Sequence, residues 1–485
     1  MQRRIGPHSF ARLLGEWRPA DGRGLAAALA DRVRLLVLDG RLPVPTRVPA
    51  ERELAAALDV SRTTVAAAYD TLRAAGVLRS RRGSGSWTAA DPRGAGPTTP
   101  FSPLGDPTLF DLAHAALPAP SAQLRRAAAA AVHDLDAHLG GHGYDLLGLL
   151  ALRTAVAERY RARGLPTTPD QVLVTMGGQH AIALALTVLT GPGDRVLVEH
   201  PTYPNALDAV RSRGARTGPV PLALGTTGPD AWDLDLVTAT VRDAAPRLAY
   251  LVPDHHNPTG AALDAEGRER LVALARRTAT PLLVDETLAE LTLAGGQPTP
   301  VAAYAPESPL VLTVGSASKT FWGGLRVGWI RSSAAMVRRL AAQRAALDLG
   351  APVLDQLVVA RLLSDVDAVT ATRRAELTAA RDHLLGRLAE GFPRWRPSRP
   401  RGGLCLWVDL GAPVSSALVG AARRHDLLLA AGPRFGLDGA FERHLRLPYT
   451  LRRDRMDAAL DRLATAWRAL DSGLPMPEAE PVAVA

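Results

Sequence analysis

Apolar positions follow two different rhythms along the chain, and the change of rhythm divides it. Residues 25–39, LAAALADRVRLLVLD, repeat their apolar positions at helical spacing and stop at Gly40. Ala50–Leu58 predicts a short helix, Asp59 and Val60 a tight turn, and Ser61 the cap of a second helix running to about Ala75 before Gly76. Two short helices on a tight turn form a helix-turn-helix pattern. The VLRSRRGSGSWT that follows reads as a hairpin, so residues 1–90 predict a small α+β module.

Over residues 91–108 the rhythm disappears. DPRGAGPTTPFSPLGDP, rich in Pro, Gly and Thr, reads as a linker. From 109 to 470 short apolar runs (QVLVT, RVLVEH, RLAYLV, PLLVDE, LVLTVG) alternate with helical patterns, which predicts an α/β domain on a mostly parallel sheet. Residues 471–485 read as a frayed tail. No run of 18 or more residues is uniformly apolar, so no membrane span is expected, and nothing near the start resembles a secretion signal. A cytoplasmic protein is the expectation.

Charge sharpens this division. The 485 residues carry a formal net charge of +9, and residues 1–93 alone hold +7 of it, all from arginine. A basic module on a near-neutral body points to a polyanion as its partner. Ser61, Arg62, Thr63 and Thr64 fall on the first turn of the second helix, the end that enters a major groove in this motif. Arg62 can fork onto a guanine edge. Arg79, Arg81 and Arg82 flank Gly83 and Gly85 at a hairpin tip thin enough for a minor groove.

Lysine is the informative absence. The chain has 56 arginines and one lysine, Lys319. Arginine replaces lysine wherever a surface needs only a cation, but not where an amine must lose its proton and attack a carbonyl. One cysteine, Cys405, leaves no intramolecular disulfide and no multi-cysteine metal site.

The polar clusters fall at predicted strand ends, where parallel sheets place ligand chemistry. TMGGQH sets Gly177, Gly178 and Gln179 at the start of a helix, a place for a phosphate. DHHNPTG offers Asn257. Its two histidines, His255 and His256, lack further ligands at metal spacing, and no metal is expected. PLLVDE ends on Asp285, a carboxylate able to keep a pyridine nitrogen protonated. GSASKTFWGGLRVG places Ser316 and Arg326 around Lys319, both able to reach one phosphate.

These motifs carry two resemblances. PAERELA, VSRTTV, LRAAGVL and RRGSGS, in this order, resemble the GntR family of winged-helix regulators. That resemblance implies DNA contact by Arg52, Arg62, Thr63 and Gly83, beside Ser61 and Arg82 from the reading above. Residues 109–470 resemble fold-type I, aminotransferase-like enzymes that use pyridoxal 5′-phosphate (PLP). The resemblance implies Lys319 as the Schiff-base lysine, Asp285 as partner of the pyridine nitrogen and Asn257 as ligand of O3′. It implies Gly178, Gln179, Ser316 and Arg326 as the phosphate cup and Tyr203 as the aromatic stacked on the ring. Tyr144 matches a tyrosine reaching the neighbouring subunit's phosphate, so a homodimer is implied. Arg446 of HLRLPYT matches the arginine that grips a substrate carboxylate.

There is one departure. A tyrosine usually follows the family's Asp-Glu pair within two or three residues and supports O3′; here Thr287 and Leu288 stand there. This bears on transamination more than on PLP binding. The two modules in this order resemble the MocR subgroup. They imply a PLP-dependent bacterial regulator of transcription that binds double-stranded DNA and senses PLP or a small amino compound. A working PLP-dependent aminotransferase is the alternative.

Overall fold

The computed structural model describes residues 3–15, 17–19, 24–38, 42, 46–74, 77–81, 85–88 and 108–471. The expectations on Arg82, Gly83, Gly40, Gly76, most of the linker and the tail beyond 471 lie outside these residues.

In the amino-terminal module, helices α1 (Pro7–Leu14), α2 (Leu25–Leu38), α3 (Glu51–Leu58) and α4 (Arg62–Ala74) bury Phe10, Leu29, Val33, Leu54, Val65 and Leu72 in one core. Asp59 makes the turn between α3 and α4 with φ 51°, the left-handed region that an aspartate tolerates. Ser61 then caps α4, its Oγ accepting from the Thr64 N–H at 3.0 Å. The hairpin pairs β3 (Leu78–Arg81) with β4 (Gly85–Thr88). Beyond the hairpin expected from the sequence, β1 (Arg3–Arg4) and β2 (Thr46–Arg47) extend it to a four-stranded sheet, in the order β1-β2-β4-β3.

The large domain opens with β5 (Phe110–Leu112), α5 (Ser121–Leu135) and α6 (Leu150–Ala162). Its main sheet comprises β6 (Val172–Thr175), β7 (Arg195–His200), β8 (Arg216–Pro221), β9 (Leu248–Leu251), β10 (Leu282–Asp285), β11 (Val311–Ser316) and β12 (Gly328–Arg331). The spatial order is β6-β12-β11-β10-β9-β7-β8, and every pairing is parallel except the two made by β12. Both faces are covered. Val172 and Val174 point into one apolar layer and Leu173 into the other, which is why these strands read as unbroken apolar runs. Between the strands run α7 (Gly178–Leu189), α8 (Pro204–Ser212), α9 (Leu234–Ala244), α10 (Ala265–Thr278) and the short α11 (Ala317–Thr320).

A second sheet, not distinguished in the sequence, follows α12 (Ala334–Arg344), α13 (Val353–Ser364) and the long α14 (Val366–Gly391). It contains β13 (Arg396–Pro397), β14 (Cys405–Asp409), β15 (Leu427–Ala431) and β16 (His444–Pro448), in the order β13-β14-β16-β15-β5. Here α15 (Ser415–Arg423) and α16 (Arg453–Asp471) share a core with the sheet and α14. The strand β5, which precedes every strand of the main sheet in the chain, joins this sheet beside β15. Its continuation, residues 113–118, therefore crosses from the second sheet toward the carboxyl ends of the first. Among the described residues no helix is long and apolar enough to cross a membrane, and no group of three or more His, Cys, Asp or Glu could hold a metal ion.

Candidate functional site

The site assembles where β6, β10 and β11 end. After β6 the chain turns through Gly177, at φ 85°, and enters α7 at Gly178. The turn has no room for side chains. A Cβ on Gly177 would stand 2.7 Å from Arg326 Nη2, and one on Gly328 would stand 2.6 Å from the Gly177 carbonyl carbon. Arg326, itself left-handed at φ 49°, donates to the Met176 carbonyl at 3.2 Å. Ser316 closes the other side: it caps α11 by accepting from the Ser318 N–H at 3.1 Å, and its Cβ lies 3.6 Å from the position a Gly178 Cβ would take. A helix amino terminus, a hydroxyl and a guanidinium thus face one small cradle lined by glycine backbone, and this donor set fits a phosphate group. Gln179 flanks it, its Nε2 donating to the Asn205 carbonyl at 3.0 Å while its buried Oε1 has no hydrogen-bond partner.

Beside the cradle, Asp285 is buried at the end of β10. Its Oδ1 accepts from the Thr287 N–H at 3.0 Å and the Thr287 hydroxyl at 2.7 Å; its Oδ2 accepts from the Tyr250 hydroxyl at 2.8 Å. Burial pushes the Asp285 carboxyl up, opposed by those three donors and by the charge of Lys319. Lys319 lies in α11. Loss of water and the Arg446 charge lower its amine to about 8, against the attraction of Asp285. The amine donates to the Ala115 carbonyl at 2.9 Å. Tyr203 begins α8, its hydroxyl accepting from Asn205 Nδ2 at 2.9 Å, and burial pushes that phenol up to about 12.

Arg446 is fully buried on β16, with its guanidinium 4.9 Å from the Phe435 ring centroid. It donates to Asn257 Oδ1 at 3.2 Å and to the Ala113 carbonyl, while its Nε has no partner. Residues 113–118 thus hold two of the site's cations, Arg446 through Ala113 and Lys319 through Ala115. Tyr144 stands elsewhere, 66% exposed and 5.4 Å from the His142 ring; within one chain it is not brought to this site. His255 and His256 are buried and bonded to protein, to Thr292 Oγ1 at 2.8 Å and Thr259 Oγ1 at 3.0 Å respectively.

The sequence reading passed over Tyr250, Thr287 as a donor, Asn205 and the 113–118 segment. Tyr250 had a signal: it lies on the strand next to Asp285's, and its register partner is Leu283, two residues before Asp285 and so on the same face.

On the amino-terminal module Arg52, Ser61, Arg62 and Thr63 are exposed together at the start of α3 and α4. Arg62 and Arg52 line one recess of about 400 Å³ with Arg4 and Arg47, which the sequence reading had not singled out. Strand pairing brings these last two there: Arg4 and Arg47 are register partners in β1 and β2, and the Arg47 guanidinium packs against Gly85.

Comparison with known proteins agrees with this division. Residues 108–463 match the family model described as aminotransferase class I and II, and residues 25–87 match the one for bacterial regulatory proteins of the gntR family. An uncharacterized HTH-type transcriptional regulator YisV from Bacillus subtilis is 26% identical, over 90% of this chain and 95% of its own. The probable rhizopine catabolism regulatory protein MocR of Rhizobium meliloti is 31% identical over 62% and 64%. The solved structure of LysN, an α-aminoadipate aminotransferase from Thermus thermophilus complexed with N-(5′-phosphopyridoxyl)-L-leucine, aligns with a TM-score of 0.69 at 28% identity, covering 76% of this chain and 94% of that one. The aminotransferase fold family is PLP-dependent, and both modules recur together in the HTH-type relatives. The chain belongs to the aminotransferase class I and II family, in the MocR-type arrangement that places a GntR-family DNA-binding domain before the aminotransferase-like domain.

Proposed function

We propose that this protein is a cytoplasmic, homodimeric regulator of transcription that holds PLP at Lys319 and answers to PLP itself or to a small amino compound. The observation that carries the reading is the joining, in one chain, of an exposed arginine-lined helix start with a cofactor cradle around the sole lysine. Gly178, Ser316 and Arg326 would hold the phosphate, with Gln179 beside them and Tyr144 reaching in from a second copy. Asp285 would hold a proton on the ring nitrogen, Asn257 would donate to the ring oxygen, and Tyr203 would cover the ring face. PLP, when bound, supplies an aldehyde for amines and a ring that withdraws electrons.

The chain's residues account for the rest. With its amine lowered to about 8, Lys319 is partly unprotonated near neutral pH and able to attack a carbonyl. Arg446, fully buried and with Nε unpartnered, suits a bidentate carboxylate once the Ala113 carbonyl withdraws. An amino acid gripped there would displace residues 113–118, which offers a path from ligand to domain arrangement.

On the DNA side, Arg62 and Thr63, with Ser61, would meet base edges and phosphates in the major groove, Arg52 a phosphate, and Arg82 with Gly83 the minor groove. A working aminotransferase is the second reading. It is favoured by the presence of both Asp285 and Lys319, each within electrostatic reach of the other, and opposed by Thr287 and Leu288 at the tyrosine position.

One experiment separates them. The protein is titrated onto the DNA upstream of its own gene, with and without PLP, beside a turnover assay with common amino donors. A preference for that DNA over random duplex with little turnover supports the regulator. No preference, together with turnover of about 1–1000 per second, makes it an enzyme. Borohydride reduction and peptide mapping test the cofactor role on their own: the pyridoxyl group is expected on the Lys319 peptide and absent from Lys319→Ala.

A further inference from the structure

The recess at the start of α3 and α4 carries more positive charge than the helix pair itself supplies. Four arginines line it, Arg4, Arg47, Arg52 and Arg62, against two acids, Glu51 and Glu53. Both acids are already engaged. Glu51 lies 3.2 Å from Arg73 and 3.8 Å from Arg62, and Glu53 accepts from the Ala50 N–H at 3.2 Å. Arg4 and Arg47 come from β1 and β2, outside the helix pair, and both are exposed. Neither guanidinium makes an ion pair or a hydrogen bond among the described residues.

Strand pairing puts these two side by side. Arg4 is the register partner of Arg47, and Arg47 that of Trp87. Register partners share a face of the sheet. Thr46 and Thr88, which alternate with Arg47 and Trp87, are buried, so the arginines leave the sheet on its outer face. Arg47 is held there: its guanidinium stands 5.9 Å from the Trp87 ring centroid, and a Cβ on Gly85, at φ 107°, would come within 2.9 Å of its Nε. Two guanidiniums on adjacent strands, with no carboxylate bonded to either, repel each other and oppose the pairing of β1 with β2. An anion bound across both would relieve that repulsion. Guanidiniums fork onto phosphates, and the same recess holds Arg62, on the first turn of the helix read as entering the major groove.

We infer that Arg4 and Arg47 bind the phosphate backbone of duplex DNA beside the base pairs that Arg62 meets, which makes β1 and β2 part of the DNA interface. The inference rests on the regulator reading above and adds to it a contact made by neither the helix pair nor the hairpin tip. The test uses full-length protein, as wild type, Arg4→Ala, Arg47→Ala and Arg47→Lys. Each is titrated by fluorescence anisotropy onto the duplex upstream of its own gene and onto random duplex, at salt concentrations from about 50 to 200 mM. Each alanine variant should weaken binding to both duplexes about fivefold or more and flatten the dependence of log K on log salt by about one unit. The ratio between the two duplexes should stay that of wild type, because a phosphate contact carries no sequence information. Arg47→Lys keeps the charge and should keep the wild-type slope, whatever affinity the lost fork removes.

Wild-type affinity and slope in either alanine variant overturns the inference, and it leaves the regulator reading standing when wild type still prefers its own upstream duplex. Weaker binding with an unchanged slope in Arg47→Ala, not restored in Arg47→Lys, overturns it as well, since Arg47 would then only pack against Gly85 and Trp87. A changed duplex ratio in the alanine variants would move these arginines from the phosphates to the base edges and overturn the backbone contact. Failure of wild type to bind either duplex overturns the regulator reading and this inference together.

Discussion

Two side chains carry the chemistry at the scale of single residues, and each makes a measurable difference. For Lys319 the sign is simple. Burial and Arg446 disfavour the protonated amine, so the nucleophilic form is present above about pH 8 and lost as pH falls through that value. The rate of PLP capture by the apo-protein should thus reach half its plateau near pH 8; a midpoint near the ordinary lysine value of 10.5 would show that the site leaves the amine unperturbed. Tyr250 acts on the other partner. It supplies one of three hydrogen bonds to the buried Asp285 carboxylate. Removing a hydrogen bond to a charged group costs about 1.5–3 kcal/mol. Tyr250→Phe should therefore weaken PLP binding about tenfold to a hundredfold, measured by equilibrium dialysis, with Tyr203→Phe, whose hydroxyl bonds Asn205 rather than Asp285, as a control. Equal affinity in Tyr250→Phe and wild type would mean that the phenol only packs.

Elements set where those side chains stand. Strand β12 runs against the direction of its neighbours and brings Gly328 against the Gly177–Gly178 turn. A Cβ at 328 would meet backbone rather than a flexible side chain, so the turn itself must shift. Gly328→Ala should keep its far-ultraviolet circular dichroism yet lose most PLP affinity; retention of wild-type affinity would show that the cradle tolerates displacement. In the amino-terminal module the cap of α4 has the matching role. Ser61 satisfies the Thr64 N–H and also bonds the Thr63 and Thr64 hydroxyls at 2.7 Å. Loss of such a cap costs about 1 kcal/mol. Ser61→Ala should lower the melting temperature of that module and weaken DNA binding, whereas Arg62→Ala, exposed and uncapped, should change base preference by about 1–3 kcal/mol at one position and leave melting unchanged.

The whole molecule enters through Tyr144. It is exposed, and among the described residues it contacts His142 rather than the cradle of its own chain, so its proposed role calls for a second copy. Subunit mixing decides this. Lys319→Ala and Tyr144→Phe homodimers should each bind PLP poorly or without a covalent link. A hybrid of the two should contain one intact site, which takes its lysine from one subunit and its tyrosine from the other. Recovery of about half the wild-type lysine-linked PLP per dimer is expected in sedimenting dimers. No recovery would place Tyr144 outside the cofactor site.

Local pattern determined a great deal of this protein. The capped helix pair ending at Ser61–Arg62, the apolar strand runs and the strand-end positions of Gly178, Asp285, Ser316 and Lys319 all follow from periodicity and turn chemistry. These act over a few residues and leave their mark in the order of side chains. The solitary Lys319 stood out for a different reason, because arginine cannot do an amine's chemistry. What depends on pairing across long separations was not legible. Only the folded chain sets Tyr250 on Asp285 through strand register, lays Ala113 and Ala115 over Arg446 and Lys319 by sending β5 into the second sheet, and brings Arg4 and Arg47 beside Arg62. The same holds for Arg373, whose α14 neighbours give no hint that it bonds both the Pro118 and the Phe321 carbonyls. Each of these contacts joins segments tens to hundreds of residues apart, and their geometry is decided by which strands and helices share a core rather than by any local preference.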